Sequence, residues 1–389
     1  VGAVLAPLVL ALLAALYAAG AGALALQRHR ELRSQALDMG YADQVAWNTL
    51  HGRPFRFTVF RGEIGAERGQ PLPLGPGGDR DSLFAYHVEL LFLPLALLYL
   101  VAPGPETLLV LLTAGLAAGA WPAYAIAHRW LAHRGAAVAF GAVYLLSPAV
   151  QAANLSDFHA VSLTAALLLF AFWLLLERRD FPFALAAVAC VAAKEEVGLL
   201  VGAMGLYAWL VLGRRRLGPA TAALAFGWTA LCFLVLIPHA SGGAPSLFAG
   251  RYGDALRQAG AAPAALLAGA PVSPVPDYTT RYAWHLLAGT GLLALLAPAE
   301  LLLAAPALAV NGLSGSTWQH GGGAHYSAEA VPGVLVASVA GAARLARSVA
   351  RRLGRPAPPV ALAVSLVALG LAAGEARREG ILPPAARFA

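Results

Sequence analysis

The chain has 389 residues, 59% of them hydrophobic and 12% charged, with a mean hydropathy of +0.67. Soluble domains carry roughly 25% charged residues, so a soluble globular protein is excluded and a polytopic membrane protein is expected. The net charge of +7 raises nucleic acid as a partner, but the arginines stand beside apolar segments (Arg178-Arg179, Arg214-Arg215-Arg216 and Arg344 through Arg355), the pattern that orients membrane proteins.

In chain order, apolar runs suited to membrane helices cover 1–26, 83–101, 107–127, 136–152, 160–176, 220–237, 328–343 and 360–373. The first has no cationic start and no small-residue cleavage site, so it reads as a retained helix, not a signal peptide. A loop over 27–82 follows, and its segment 36–50 has the spacing of a short helix lying along the membrane surface. The loop ends in a Gly/Pro-rich tract over 70–81. Further polar loops cover 238–285, with Arg251-Tyr252-Gly253-Asp254 and Pro276-Asp277-Tyr278, and 311–326, where His320 and His325 flank Gly321-Gly322-Gly323. A basic segment occupies 344–358. Cys190 and Cys232 both lie in apolar runs, which leaves no disulfide framework or cysteine metal site.

Lys194 is the only lysine, and it opens Lys194-Glu195-Glu196 between two apolar stretches. Charges at membrane depth cost about 2.5–3.5 kcal/mol each on insertion scales and normally mark a functional site. The alternative is that Lys194 and Glu195 neutralise each other at a helix break. The flanking arms, roughly 11 and 17 residues at about 1.5 Å each, are too short for two full spans. A hairpin with its polar apex beside a cavity is expected, since irregular backbone at that depth is tolerated there.

With the arginine clusters in the cytoplasm, Asp157 and His159 fall outside. One point resists: three runs between 83 and 152 give the wrong parity for Asp157 to share a side with the first loop. Either one run is re-entrant, or the link His128-Arg129…His133-Arg134 breaks the charge rule. No internal repeat is evident, which weakens an inverted-repeat transporter.

This topology sends Asp38, Asp43, His87, Glu89, Asp157, His159, Lys194, Glu195, Glu196, His325 and Tyr326 to one side. Clustered carboxylates, imidazoles and an ammonium can tune one another for acid–base work. Asp38 reads either as a general base or as the N-cap of the 36–50 helix. The pairs His87/Glu89 and Asp157/His159 suit a divalent metal by donor type, but residues two apart do not face one another on a helix. Trp47, Trp121, Trp284 and Trp318 sit near span ends, as in an interface belt. No P-loop, dinucleotide fingerprint, nucleophile elbow or HExxH is present.

The run Asp38-Met39-Gly40-Tyr41-Ala42-Asp43-Gln44, followed by Trp47-Asn48 and Gly52-Arg53-Pro54-Phe55, resembles the first-loop signature of a predicted membrane-protein family known as domain of unknown function 2079. In that family a DLGIFDQ-like stretch leads to a WN…GRPF-like one. Ala153-Asn154-Leu155-Ser156-Asp157-Phe158-His159, then Lys194-Glu195-Glu196, then His325-Tyr326 match in the family's order and cover most of residues 30–335. This chain departs from the family at His87-Val88-Glu89-Leu90, where an HF-x-P stretch is usual, and lacks the proline that often follows the Asp157–His159 match. The family in turn resembles the GT-C class of integral-membrane glycosyltransferases.

Span lengths predict a single all-α polytopic transmembrane helical bundle over 1–389, of roughly ten to twelve spans, and the resemblance implies that it is GT-C-like and sits in a bacterial cell membrane. It implies a polyprenyl-phosphate sugar as donor and an acidic residue in the first extracytoplasmic loop, matched by Asp38. Asp38, Lys194, Glu195 and His159 are the expected catalytic residues. Asp43, Trp47, Arg53, His87, Glu89, Asp157, Glu196, His325 and Tyr326 are the expected substrate-binding ones. The one cofactor in view is a divalent cation on Asp157, His159 and Glu195. Beside inverting glycosyl transfer stand two alternatives: a transporter or flippase for a lipid-linked or small anionic substrate, and a metal-dependent membrane hydrolase.

Overall fold

Helices and turns make up the computed structural model, which describes residues 2–61, 74–244, 252, 277–321 and 324–380. Among these the one β feature is an isolated bridge between Arg56 and Ser82. The Arg251–Asp254 motif apart from Tyr252, Pro276, Gly322-Gly323 and the early part of the 70–81 tract lie outside the described residues, as do the side chains of Asp277 and Tyr278.

The opening apolar run forms α1 (Gly2–Arg30), closed by Arg28, His29 and Arg30, whose charges complement the carbonyl end of the helix dipole. Leu5, Leu8, Leu12 and Leu16 stay exposed along it, as a lipid-facing stripe would. The surface helix is α2 (Ala36–Leu50), and it buries Met39, Tyr41, Ala42, Val45 and Ala46 against the bundle.

The 83–101 run is not a span. It breaks into a 3-10 turn at Leu83–Ala85, a short α3 (Phe92–Ala96) and a second 3-10 turn at Leu97–Leu100. The polar pair His87/Glu89 interrupts it, and its backbone is satisfied sideways: the Leu91 N–H donates to the Ala192 carbonyl at 2.7 Å.

Next, α4 (Pro105–Ala118) and α5 (Ala120–Leu131) join into one 27-residue span over Pro105–Leu131. The return path, α6 (Arg134–Leu146) with α7 (Pro148–Leu155), is bent by 43° at a proline that cannot donate to the preceding turn. Then come α8 (Thr164–Leu176), α9 (Asp180–Val191), α10 (Val197–Leu210) and α11 (Leu217–Leu231), the last continuing to Ala240. Small residues let α10 and α11 touch backbone to backbone: a Cβ on Gly205 would meet the Ala222 nitrogen at 2.5 Å. Later helices are α12 (Asp277–Ala288), α13 (Val331–Leu353) and α14 (Ala357–Glu379).

Among the described residues five helices are long and apolar enough to cross a membrane, or six with the bent pair, fewer than the ten to twelve expected. Three shorter apolar helices, α8 with its preceding turn, α9 and α10, make up part of the difference.

With 83–101 removed from the spans, the parity problem disappears. Arg129 pairs with Glu177 at 2.8 Å, and Arg214 clasps Asp180 at 2.5 and 2.6 Å. The 128–134 link, the α8–α9 turn and the arginines after α10 therefore share one end of the bundle. At the other end, Asp157 accepts from the Gln35 N–H at 2.8 Å, which puts the α7–α8 turn beside α2.

Candidate functional site

The α9–α10 hairpin carries its polar apex into the protein, where Lys194 and Glu195 are only 5% and 3% exposed. Glu195 is fully engaged: Oε1 lies 2.8 Å from His87 Nδ1, and Oε2 accepts from the Val88 N–H at 3.0 Å. Its carbonyl accepts the Thr229 hydroxyl of α11 at 2.8 Å. The broken 83–101 segment and the hairpin apex thus satisfy each other, a better arrangement than leaving either buried and unpaired.

From that anchor a run of contacts links the hairpin apex to α2. Lys194 Nζ lies 2.7 Å from Glu196 Oε1 and 5.9 Å from the centre of the Tyr326 ring. Tyr326 packs on His325 with centroids 4.0 Å apart, and His325 stacks on His159 at 3.6 Å and 22°. His159 Nε2 ends the run 3.7 Å from Asp38 Oδ2. Four separate segments meet here: α2, the 157–160 turn, the hairpin apex and the 3-10 turn His325–Glu329.

Asp38 does not cap α2. The N-cap is Gln35, and Asp38 stands inside the first turn, where the helix dipole also favours a negative charge. Burial pushes its carboxyl up, but the His159 ring beside it, with His87 further off, offsets this and holds Asp38 below the ordinary aspartate range. Asp157 serves the position instead. It adopts φ +61°, a left-handed conformation that Asp tolerates better than most residues, and its carboxylate binds the Gln35 N–H and the Ser34 hydroxyl. Burial, partly offset by those bonds, leaves Asp157 above its ordinary value. Its role is to fix the start of α2 and so the place of Asp38.

Two buried carboxylates complete the cluster, both outside the span-length helices. Glu89 and Glu329 are 2% and 4% exposed, and each leaves one oxygen without a hydrogen-bond partner, as do Glu196 Oε2 and His159 Nδ1. Burial pushes Glu89 up to about 8; the Lys194 ammonium pulls it down, while Glu195, Glu196 and Asp38 push it further up. Burial likewise raises Glu329 to about 8, reinforced by Glu196 and Glu195 and opposed by Lys194. Sequence reasoning missed Glu329, because it was absorbed into the apolar 328–343 run; a carboxylate four residues past His325 was the available signal.

Several expected site residues lie elsewhere. Asp43, about 140° round α2 from Asp38, accepts the Tyr99 hydroxyl at 2.7 Å. Trp47 is exposed and stacks on His51 at 4.1 Å, and Arg53 is exposed in the following turn. The Trp47-Asn48…Gly52-Arg53-Pro54-Phe55 stretch is a local knot. Asn48 Nδ2 donates to the Arg56 carbonyl at 2.8 Å, and Thr49 Oγ1 accepts the Phe55 N–H at 3.1 Å. A divalent-cation site on Asp157, His159 and Glu195 does not assemble, because the three are committed to Gln35, Asp38 with His325, and His87 with Val88. No group of three His, Cys, Asp or Glu side chains suited to a metal occurs among the described residues. Arg344, expected as a basic anchor, binds Glu300 through two hydrogen bonds of 2.9 and 2.8 Å.

Helices of span length around a buried, multi-segment ionisable cluster define a polytopic membrane protein. The chain belongs to the family described as predicted membrane protein (DUF2079), whose pattern matches residues 28–372. No curated protein and no solved structure matches it.

Proposed function

We propose that this protein is an integral-membrane glycosyltransferase of GT-C-like kind, acting at the extracytoplasmic face of the cell membrane on a polyprenyl-phosphate sugar. The observation that carries the reading is the unbroken contact run from Asp38 through His159, His325 and Tyr326 to Lys194. It provides a base at one end and a cation at the other, the two groups such a transfer needs.

In the reaction the acceptor hydroxyl oxygen attacks the anomeric carbon and its proton passes to Asp38. The bond from that carbon to the phosphate oxygen breaks, and the electron pair leaves with the lipid phosphate. Lys194, oriented by Glu196, meets the negative charge that builds there. His159 orients Asp38, and Glu195 holds His87 and the hairpin apex in place. Attack opposite the leaving group inverts the anomeric centre. Arg53, exposed in the turn after α2, is not one of the residues in this run.

One observation favours a second reading, transport of a lipid-linked or small anionic substrate. Glu89 and Glu329 are buried carboxyls poised to hold and release protons near neutral pH, as proton coupling requires. The test is incubation of purified protein with a panel of polyprenyl-phosphate sugars and candidate acceptors. Release of lipid phosphate with formation of a glycosidic bond supports transfer. Substrate uptake into proteoliposomes with no new bond supports transport.

A further inference from the structure

Asp38 and His87 are the partly exposed members of two carboxylate–imidazole pairs, with side chains 29% and 24% exposed. The partners behind them, His159 and Glu195, are buried. The pairs are built in opposite senses: at Asp38 an imidazole stands 3.7 Å behind a carboxylate, and at His87 a carboxylate stands 2.8 Å behind an imidazole. The two are neighbours, since the charge of His87 favours the Asp38 carboxylate. We propose that His87 is the acid of the transfer reaction, giving its Nε2 proton to the phosphate oxygen as the bond to the anomeric carbon breaks. This rests on the glycosyl-transfer reading above and adds to it a second proton-transfer residue.

Glu195 decides which ring nitrogen is available. Burial pushes its carboxyl up, but the His87 ring, Lys194 and the Val88 N–H outweigh this and hold it below the ordinary glutamate range. An ionised carboxylate only accepts, so Nδ1 of His87 carries the hydrogen of the 2.8 Å bond. Nε2 has no hydrogen-bond partner among the described residues and is left as the exchangeable position. A buried carboxylate behind an imidazole also stabilises the imidazolium, the form that gives a proton. That charged N–H suits an anionic phosphate oxygen. The other charged groups near the pair are Lys194 on the same apex, Asp38 on α2 and Glu89 two residues along from His87. The step balances. The acceptor hydroxyl proton goes to Asp38, the electron pair of the carbon–oxygen bond goes to the phosphate oxygen, and the His87 proton joins it there. The lipid phosphate leaves as its monoanion, and return of a proton from Asp38 to His87 restores both groups.

The test uses the purified full chain in detergent and a polyprenyl-phosphate sugar that the wild type turns over. His87→Ala should lower kcat about 10²–10⁴-fold while KM for the donor stays within about threefold. Added imidazole should restore turnover to that variant, more at pH 6 than at pH 8, because the imidazolium is the acid. If His87→Ala fails to fold, His87→Gln decides the matter: its amide can still donate to Glu195 but has no proton to give, so the same loss is expected. Unaltered turnover in either folded variant overturns the proposal. A loss in His87→Ala that imidazole does not relieve marks His87 as structural and overturns it too, and rescue stronger at pH 8 would make the group a base. A wild type that forms no glycosidic bond overturns the transfer reading and this inference together; an active wild type with unaffected His87 variants overturns this inference alone.

Discussion

Two ionic groups built around buried carboxylates in this protein are arranged in opposite ways. Toward the arginine-rich end, Arg344 Nη2 donates to both Glu300 oxygens and Nη1 to the Leu296 carbonyl, while the Tyr207 hydroxyl lies 3.3 Å from Glu300 Oε1. Every oxygen of that carboxylate is occupied. At the other end, Lys194 faces Glu196 but shares its surroundings with Glu89, Glu195 and Glu329, and polar atoms on Glu89, Glu196, Glu329 and His159 have no partner. Buried polar groups are normally satisfied. A closed pair locks helices together; the other cluster leaves acceptor atoms unpartnered, as the proposed reaction requires.

The comparison can be broken most forcefully at Asp38. Asp38→Asn keeps the size of the side chain and removes the base, so turnover of a polyprenyl-phosphate sugar should fall about 10²–10⁴-fold while donor binding stays near wild type. Unimpaired turnover would remove Asp38 from the chemistry. At the closed pair the opposite pattern is expected. Arg344→Met strands the Glu300 carboxylate and should lower stability by about 1–3 kcal/mol, read as a drop in melting temperature, with turnover per folded molecule unchanged.

A pH series sharpens the contrast further. Glu89 and Glu329 have folded values near 8, above the ordinary glutamate value near 4.5. Between those limits the folded state holds more protons than the unfolded one, so stability should fall as pH rises from 5 to 8. The slope reaches at most about 1.4 kcal/mol per pH unit for each proton. Glu329→Gln should flatten part of that slope; an unaltered slope would show that Glu329 is already ionised in the fold. The smallest effect is expected at Asp157→Asn, which retains an acceptor for the Gln35 N–H and tolerance of a positive φ. It should change stability by less than about 1 kcal/mol and leave turnover near wild type. A large loss of turnover would show Asp157 acting on substrate.

Asp38, His159, Lys194 and His325 were legible as one group because each ionisable residue sits at the end of an apolar run, where burial makes it costly without a purpose. The WN…GRPF stretch has a structural use that its residue types do not announce, since Asn48 and Thr49 tie the turn to itself. The span count ran high for a different reason. Hydropathy measures how greasy a run is, not where its backbone bonds go, and 83–101 sends the Val88 and Leu91 N–H groups to the hairpin apex. Pairings such as His87 with Glu195, over a hundred residues apart in the chain, carry no local signal at all.

The central claim is that Asp38 and the Lys194 apex open onto one pocket at one end of the bundle. Thiol labelling tests it directly, because the two native cysteines, Cys190 and Cys232, are both buried. Asp38→Cys and Tyr326→Cys proteins, reconstituted in sealed vesicles of uniform orientation, would be treated on one side at a time with a membrane-impermeant reagent. Both positions should react from the same side. Labelling of the two from opposite sides would contradict the account.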